Sequence, residues 1–167
     1  MALVWACFYH LNMWAFAYFE HNPRVNWLFL PAGIRMIAVF IFGWSGVLGL
    51  FVGSALTNEA HLSADVLGLS GVSALSPMLA LLACRWFFAL PSSLVGLSPR
   101  QLIVFSLVGA LMNVIFSHLY FFYTDTETSF STITPMFIGD VLGILLTFLL
   151  VSKALQFLIY LSKNTAE

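Results

Sequence analysis

The chain opens on an apolar run from Met1 to Phe19 that closes at Glu20-His21-Asn22-Pro23-Arg24. Proline cannot continue a helix there without losing a hydrogen bond, so the pattern predicts a first span over 1–19. A second apolar run, Val25 to Phe42, meets Gly43-Trp44-Ser45-Gly46 and resumes from Val47 to Leu56. As one helix, 25–56 would extend about 48 Å, too long for a hydrocarbon core of about 30 Å, so it reads as a tight helical hairpin. Three more runs predict span four at Val66 to Leu90, span five at Gln101 to Tyr123 and span six at Met136 to Leu161. Gly68, Ser70, Gly71, Ser73, Ser76 and Pro77 crowd the first half of span four and predict a kinked or locally unwound segment there. Lipid allows that only where other helices or water satisfy the freed backbone groups. No internal repeat is present.

These runs lack the polar alternation of an outer-membrane barrel. They predict an all-α fold, a polytopic membrane bundle of about six transmembrane helices forming one integral membrane domain over 1–167. Composition agrees: of 167 residues 61% are hydrophobic and 8% charged, with a mean hydropathy of +0.98. A soluble domain carries about 25% charged residues. Six spans of about 20 residues leave no length for a soluble output module. The N-terminal run has no basic segment before it and is expected to be a retained helix rather than a signal peptide. A net charge of −1, with no basic block, argues against nucleic acid as a partner. Cys7 and Cys84 fall inside apolar runs without metal-ligand spacing and read as small buried hydrophobes.

Basic residues set the expected orientation. The loops at 57–65 and 124–135 carry Glu59, Asp65, Asp125 and Glu127 but no Lys or Arg, whereas Arg85, Arg100, Lys153 and Lys163 lie toward the other side. The positive-inside rule then puts both termini in the cytoplasm, with Arg24 the one vote against, and Trp27 and Trp44 at opposite interfaces.

Charges inside spans cost about 2.5–3.5 kcal/mol each on insertion scales, so those present need a partner or a task. Arg35 lies eight residues after Trp27, about 12 Å along a helix from the outer end of span two. Asp140 stands in the first turns of span six and His118 near the end of span five, in the same outer half. One reading is a polar cavity between spans two, five and six, open to the outer face, where Arg35 offers its fork of donors to a small ligand. The other is an Arg35–Asp140 ion pair that fixes helix register, with His118 satisfied by a neighbouring Ser or carbonyl. Asn113, about 140° round the helix from His118, belongs at most on the flank. His10 and Asn12 read as interhelical hydrogen bonders, and Lys153 as a side chain snorkelling to the headgroups. Gly49-x3-Gly53 and Gly139-x3-Gly143 have the spacing that lets helix backbones touch. No catalytic triad, metal set or phosphate loop is present, so neither enzyme activity nor a cofactor is expected.

Leu30-Pro31-Ala32-Gly33, then Phe42-Gly43-Trp44, then Gly53-Ser54-Ala55-Leu56-Thr57-Asn58, and finally Gly139-Asp140-Val141-Leu142-Gly143 resemble motifs of the MASE1 family of bacterial integral-membrane sensory domains. Phe29 stands where such members usually have Trp. The resemblance implies a signal-input bundle in a bacterial inner membrane that senses a ligand and passes a conformational change to a separate membrane protein or to another copy of itself. Two other readings stay open: a six-helix substrate-binding subunit similar to the S components of energy-coupling-factor transporters, and an accessory subunit of a larger membrane complex.

Overall fold

The structure, a computed structural model, describes residues 1–16, 18, 20–22, 25–57, 63–92, 97–124 and 130–164. Among these residues six α-helices form the bundle: α1 (Ala2–Ala15), α2 (Pro31–Phe42), α3 (Trp44–Thr57), α4 (Ala64–Phe88), α5 (Pro99–Tyr123) and α6 (Ile133–Asn164). Between α1 and α2, β1 (Glu20–Asn22) pairs antiparallel with β2 (Val25–Asn26). Arg24, Glu59, Asp125 and Glu127, part of the orientation argument, lie outside the described residues, as does Phe19, the expected end of span one.

Among the described residues three helical stretches are long and apolar enough to cross a membrane: Ala64–Phe88, Pro99–Tyr123 and Phe130–Ala154. The chain is a membrane protein, and its surface fits that setting. Trp14, Trp86 and Phe122 are each more than 80% exposed, a display of large apolar groups that suits a lipid surround.

The first two runs end and begin differently from expectation. α1 stops at Ala15, where the Phe16 N–H closes the last turn on the Asn12 carbonyl. α2 starts only at Pro31, whose missing N–H costs nothing at a first helical position. Residues 25–30 are not helical, although their apolar character reads as helix. The hairpin itself is tight: Gly43, at φ +56, is the single residue between α2 and α3, in a conformation that residues with a Cβ rarely adopt.

In span four the local unwinding is not found: α4 runs as one helix from Ala64 to Phe88 with Pro77 inside it. Its small residues instead make room for neighbours: Gly68 lies directly under the Tyr120 ring, and the Tyr120 hydroxyl donates to the Asp65 carbonyl at 3.2 Å. Helices α4 and α5 are each capped by serine. Ser63 Oγ accepts from the Val66 N–H, and Ser98 with Gln101 forms a reciprocal capping box ahead of α5.

The apolar core fills the half of the bundle around the end of α2 and the start of α5. Ala38, Val39, Ala80, Cys84, Phe105 and Ala110 are completely buried there, and Phe105 meets Phe40 and Phe148 edge-to-face at 5.8 and 6.5 Å. Cys84 is buried as expected, whereas Cys7 is exposed, because the stripe of α1 that faces the bundle carries Trp5 and Asn12 instead.

Candidate functional site

At the other end of the bundle the chain is non-helical between β2 and α2, and three of the backbone groups there have partners distant in sequence. The Leu30 N–H donates to Asn12 Oδ1 at 2.9 Å, and the Leu30 carbonyl accepts from Thr147 Oγ1 at 3.1 Å. The Phe29 N–H donates to the Gly139 carbonyl at 3.1 Å. Irregular backbone is tolerated inside a membrane bundle only when satisfied in this way.

The segment lies flat on α6 because α6 offers no side chain beneath it. A Cβ on Gly139 would run into the Asn26 carbonyl, and one on Gly143 into the Phe29 carbonyl. One turn further, Thr147 fills the space above Gly33. The motif Leu30-Pro31-Ala32-Gly33 and the motif Gly139-Asp140-x-x-Gly143, more than a hundred residues apart, are thus one contact. Gly49 and Gly53 likewise let α3 approach α1: a Cβ on Gly49 would meet the Met1 side chain, and one on Gly53 would meet Trp5 and Ala2.

This contact places Arg35 and Asp140 side by side. Arg35 is the fifth residue of α2, about 6 Å from the helix start, not the 12 Å that a helix running from Trp27 implies. Its Nη2 donates to Asp140 Oδ1 at 3.3 Å, and its Nη1 donates to Asn113 Oδ1 at 3.1 Å and to Ser73 Oγ at 3.0 Å. Asn113 closes the triangle: its Nδ2 donates to Asp140 Oδ2 at 2.6 Å. The guanidinium also sits over the rings of Trp5 and Phe29, 5.7 and 5.4 Å from their centroids. Helices α2, α4, α5 and α6 therefore meet in one buried polar cluster, with α1 covering it.

Asn113 is a full member of the cluster rather than a flanking residue. His118 is not a member. Its Nδ1 lies 2.9 Å from the Val114 carbonyl, which can only accept, so Nδ1 carries the proton, and in the neutral ring Nε2 accepts from the Thr132 hydroxyl at 3.1 Å. His118 ties the end of α5 to the short 3₁₀ turn Phe130–Thr132 that precedes α6. His10 is exposed and packs edge-on against Tyr9, whereas Asn12 makes the long-range bond to Leu30.

Above the cluster is a partly open cavity of about 180 Å³. It is broader than the expected one between spans two, five and six, since every helix contributes to it. Trp5, Tyr9, Phe29 and Phe121 give aromatic walls, Leu69 and Met136 flank them, and Arg35, Ser73, Asn113 and Asp140 supply the polar side. A cavity of about 150 Å³ accommodates one benzene ring, so this one suits a single ring with a few substituents. A second void of about 10 Å³, close to the size of one water, lies behind the same Arg35, Asn113 and Asp140, against Pro77 and Gly109. Among the described residues no three His, Cys, Asp or Glu side chains converge as a metal would require. The chain matches no family model, no curated protein and no solved structure.

Proposed function

We propose that the chain is a ligand-recognition bundle of a bacterial inner membrane, with both termini cytoplasmic, that reports occupancy of its cavity to a separate membrane partner. The observation that carries this reading is the coincidence of a cavity of ligand size with a polar cluster that joins four helices. An ion pair that served only to join α2 and α6 would need no aromatic chamber above it. A ligand touching Arg35 and Asp140 also touches the Asn26–Phe29 segment fastened along α6, so its binding energy can bias how α2 and α6 sit against each other. This is what the likeness to sensory domains implies for the region where the two motifs meet.

A thermal-shift screen of the purified chain against small ring compounds tests it, with Leu69→Trp as the comparison because that change fills the cavity while leaving the cluster intact. The expected result is compounds that raise Tm for the wild type and not for Leu69→Trp. Equal shifts in both proteins would remove the cavity from consideration. The same cavity would serve a substrate-binding transporter subunit, and the partner separates the two: a kinase or cyclase supports sensing, and an ATPase module supports transport.

A further inference from the structure

We infer that the cavity takes a small, uncharged, planar molecule that presents a hydrogen-bond donor and an acceptor on adjacent atoms, as a cyclic amide does. This rests on reading the cavity as a ligand site, and it adds the chemical class of the ligand.

The first ground is charge. Among the described residues that line the cavity Arg35 is the one cation and Asp140 the one anion, and they are bonded to each other at 3.3 Å. An anion drawn to the guanidinium meets the carboxylate beside it, and a cation drawn to Asp140 meets the guanidinium. Neither finds a net counter-charge to offset its loss of hydration, a loss that is severe for an ion in a poorly solvated site. A neutral ligand avoids that cost.

The second ground is unused hydrogen-bonding capacity. A guanidinium has five N–H donors. Arg35 uses both on Nη1 and one on Nη2, leaving the second Nη2–H and the Nε–H without a partner among the described residues. Asp140 accepts one bond on each oxygen, which uses about two of its four lone-pair sites. The polar side of the cavity therefore offers spare donors next to spare acceptors. A carbonyl beside an N–H is the complement: C=O toward Arg35 and N–H toward Asp140, two parallel bonds in register with the existing pair.

The third ground is shape. Aromatic walls contributed by α1, α5 and the segment before α2, together with about 180 Å³ of space, favour a flat ring over a branched or extended molecule. A six-membered cyclic amide of eight or so heavy atoms fits that volume, given that about 150 Å³ holds benzene.

The test uses the full chain in lipid nanodiscs and measures binding by equilibrium dialysis with five probes. Uracil is neutral with adjacent N–H and C=O groups, 1,3-dimethyluracil has the same ring with its N–H groups blocked, benzoate is an anion, benzylamine a cation and phenylalanine a zwitterion. The expected result is saturable uracil binding at least about tenfold tighter than that of 1,3-dimethyluracil, since a site built around a hydrogen bond rejects the analogue that lacks it. Benzoate, benzylamine and phenylalanine should bind more weakly still. Leu69→Trp should abolish the binding, and wild type alone decides the ranking if that variant does not fold. Equal binding of uracil and its dimethyl analogue, or tighter binding of a charged or zwitterionic probe, would overturn the class assigned while leaving the cavity a ligand site. Saturable binding by none of the five would overturn the class, and with no compound in the thermal-shift screen separating wild type from Leu69→Trp the ligand-site reading would fall separately.

Discussion

The two halves of this bundle are held together by different physics. Around Phe105, contacts among Phe40, Phe148, Ala38 and Val39 are apolar and non-directional, so the half is described by volume. Around Arg35, hydrogen bonds with a named donor and acceptor join α2, α4, α5 and α6, and two glycines of α6 bring backbone against backbone. In lipid the apolar half gains little from hydrophobic transfer between helices, because lipid tails are as apolar as leucine, and it relies on close packing. The polar half is specified by partners, so removing one member leaves another unpaired. Sensitivity to mutation should therefore depend on identity at the cavity end and on size at the other.

The largest effect follows from breaking the ion pair. Arg35→Met leaves Asp140 buried with Asn113 alone and should cost about 3–5 kcal/mol in reversible unfolding from mixed micelles. Adding Asp140→Leu should restore most of that loss, because replacing both members of a buried pair is often tolerated. A double variant as unstable as the single one would show that the cluster is not organised around this pair.

Next comes the backbone contact on α6. Gly143→Ala forces a Cβ into the Phe29 carbonyl, which cannot rotate away, and should cost about 2–3 kcal/mol. Gly71→Ala is the control: the nearest atom to its added Cβ is Phe51 Cε2 at 4.0 Å. That substitution should be neutral or slightly stabilising, since alanine has the better helix propensity. Similar losses at both glycines, read from the same unfolding curves, would remove the close approach as the explanation.

Much of this arrangement can be read from the residues, and the misreadings have identifiable causes. Arg35 and Asp140 stand out because charge within an apolar run is costly, and the two glycine pairs stand out by spacing. Asn113 is misjudged because its angle is taken from His118, which belongs to a different contact. Counted along α5 instead, Phe105, Gly109, Asn113 and Ser117 recur every four residues and are all buried, a stripe that the sequence displays. The non-helical segment 25–30 is not legible from local pattern, since its apolar residues suit a helix equally well. What holds it in place is Asn12, Gly139 and Thr147, all distant in sequence. The aromatic walls are missed for the same reason: Trp5 and Tyr9 look like ordinary lipid-facing residues until α1 is placed over the cluster.

A smaller effect is expected where a buried side chain serves a backbone group. Asn12→Leu removes the acceptor for the Leu30 N–H, which has no access to water there, and leaving such a donor unpaired costs about 1–3 kcal/mol. Asn12 Nδ2 is itself buried with no partner among the described residues, so its removal offsets part of the loss and a net cost of about 2 kcal/mol is expected. In the apolar half, Phe105→Leu nearly conserves volume and should cost about 1 kcal/mol. It should also tolerate Met, whereas position 12 should tolerate no apolar residue of any size. A size-dependent ranking at position 12 would erase the contrast between the halves.

The smallest effect isolates solvent exposure from bond type. Ser98 and Asn12 do the same job: each gives a side-chain oxygen to a backbone N–H at the start of a helix, Ser98 to Gln101 at 3.3 Å and Asn12 to Leu30 at 2.9 Å. The Ser98 bonds are exposed, and the Asn12 bond is buried against the cavity end. When Ser98 becomes alanine, water can replace its oxygen, and Gln101 Oε1 still accepts from the Ser98 backbone N–H. The loss should therefore be about 0.5–1 kcal/mol, at the lower end of what N-cap removal costs. Ser98→Gly should cost only a few tenths, because an open N-terminus lets water reach all the freed donors. Unfolding free energies for Ser98→Ala, Ser98→Gly and Asn12→Leu measured side by side decide it. If Ser98→Ala costs as much as Asn12→Leu, burial is not what distinguishes the two ends, and the partner-specific character of the cavity end would have to come from the charged pair alone.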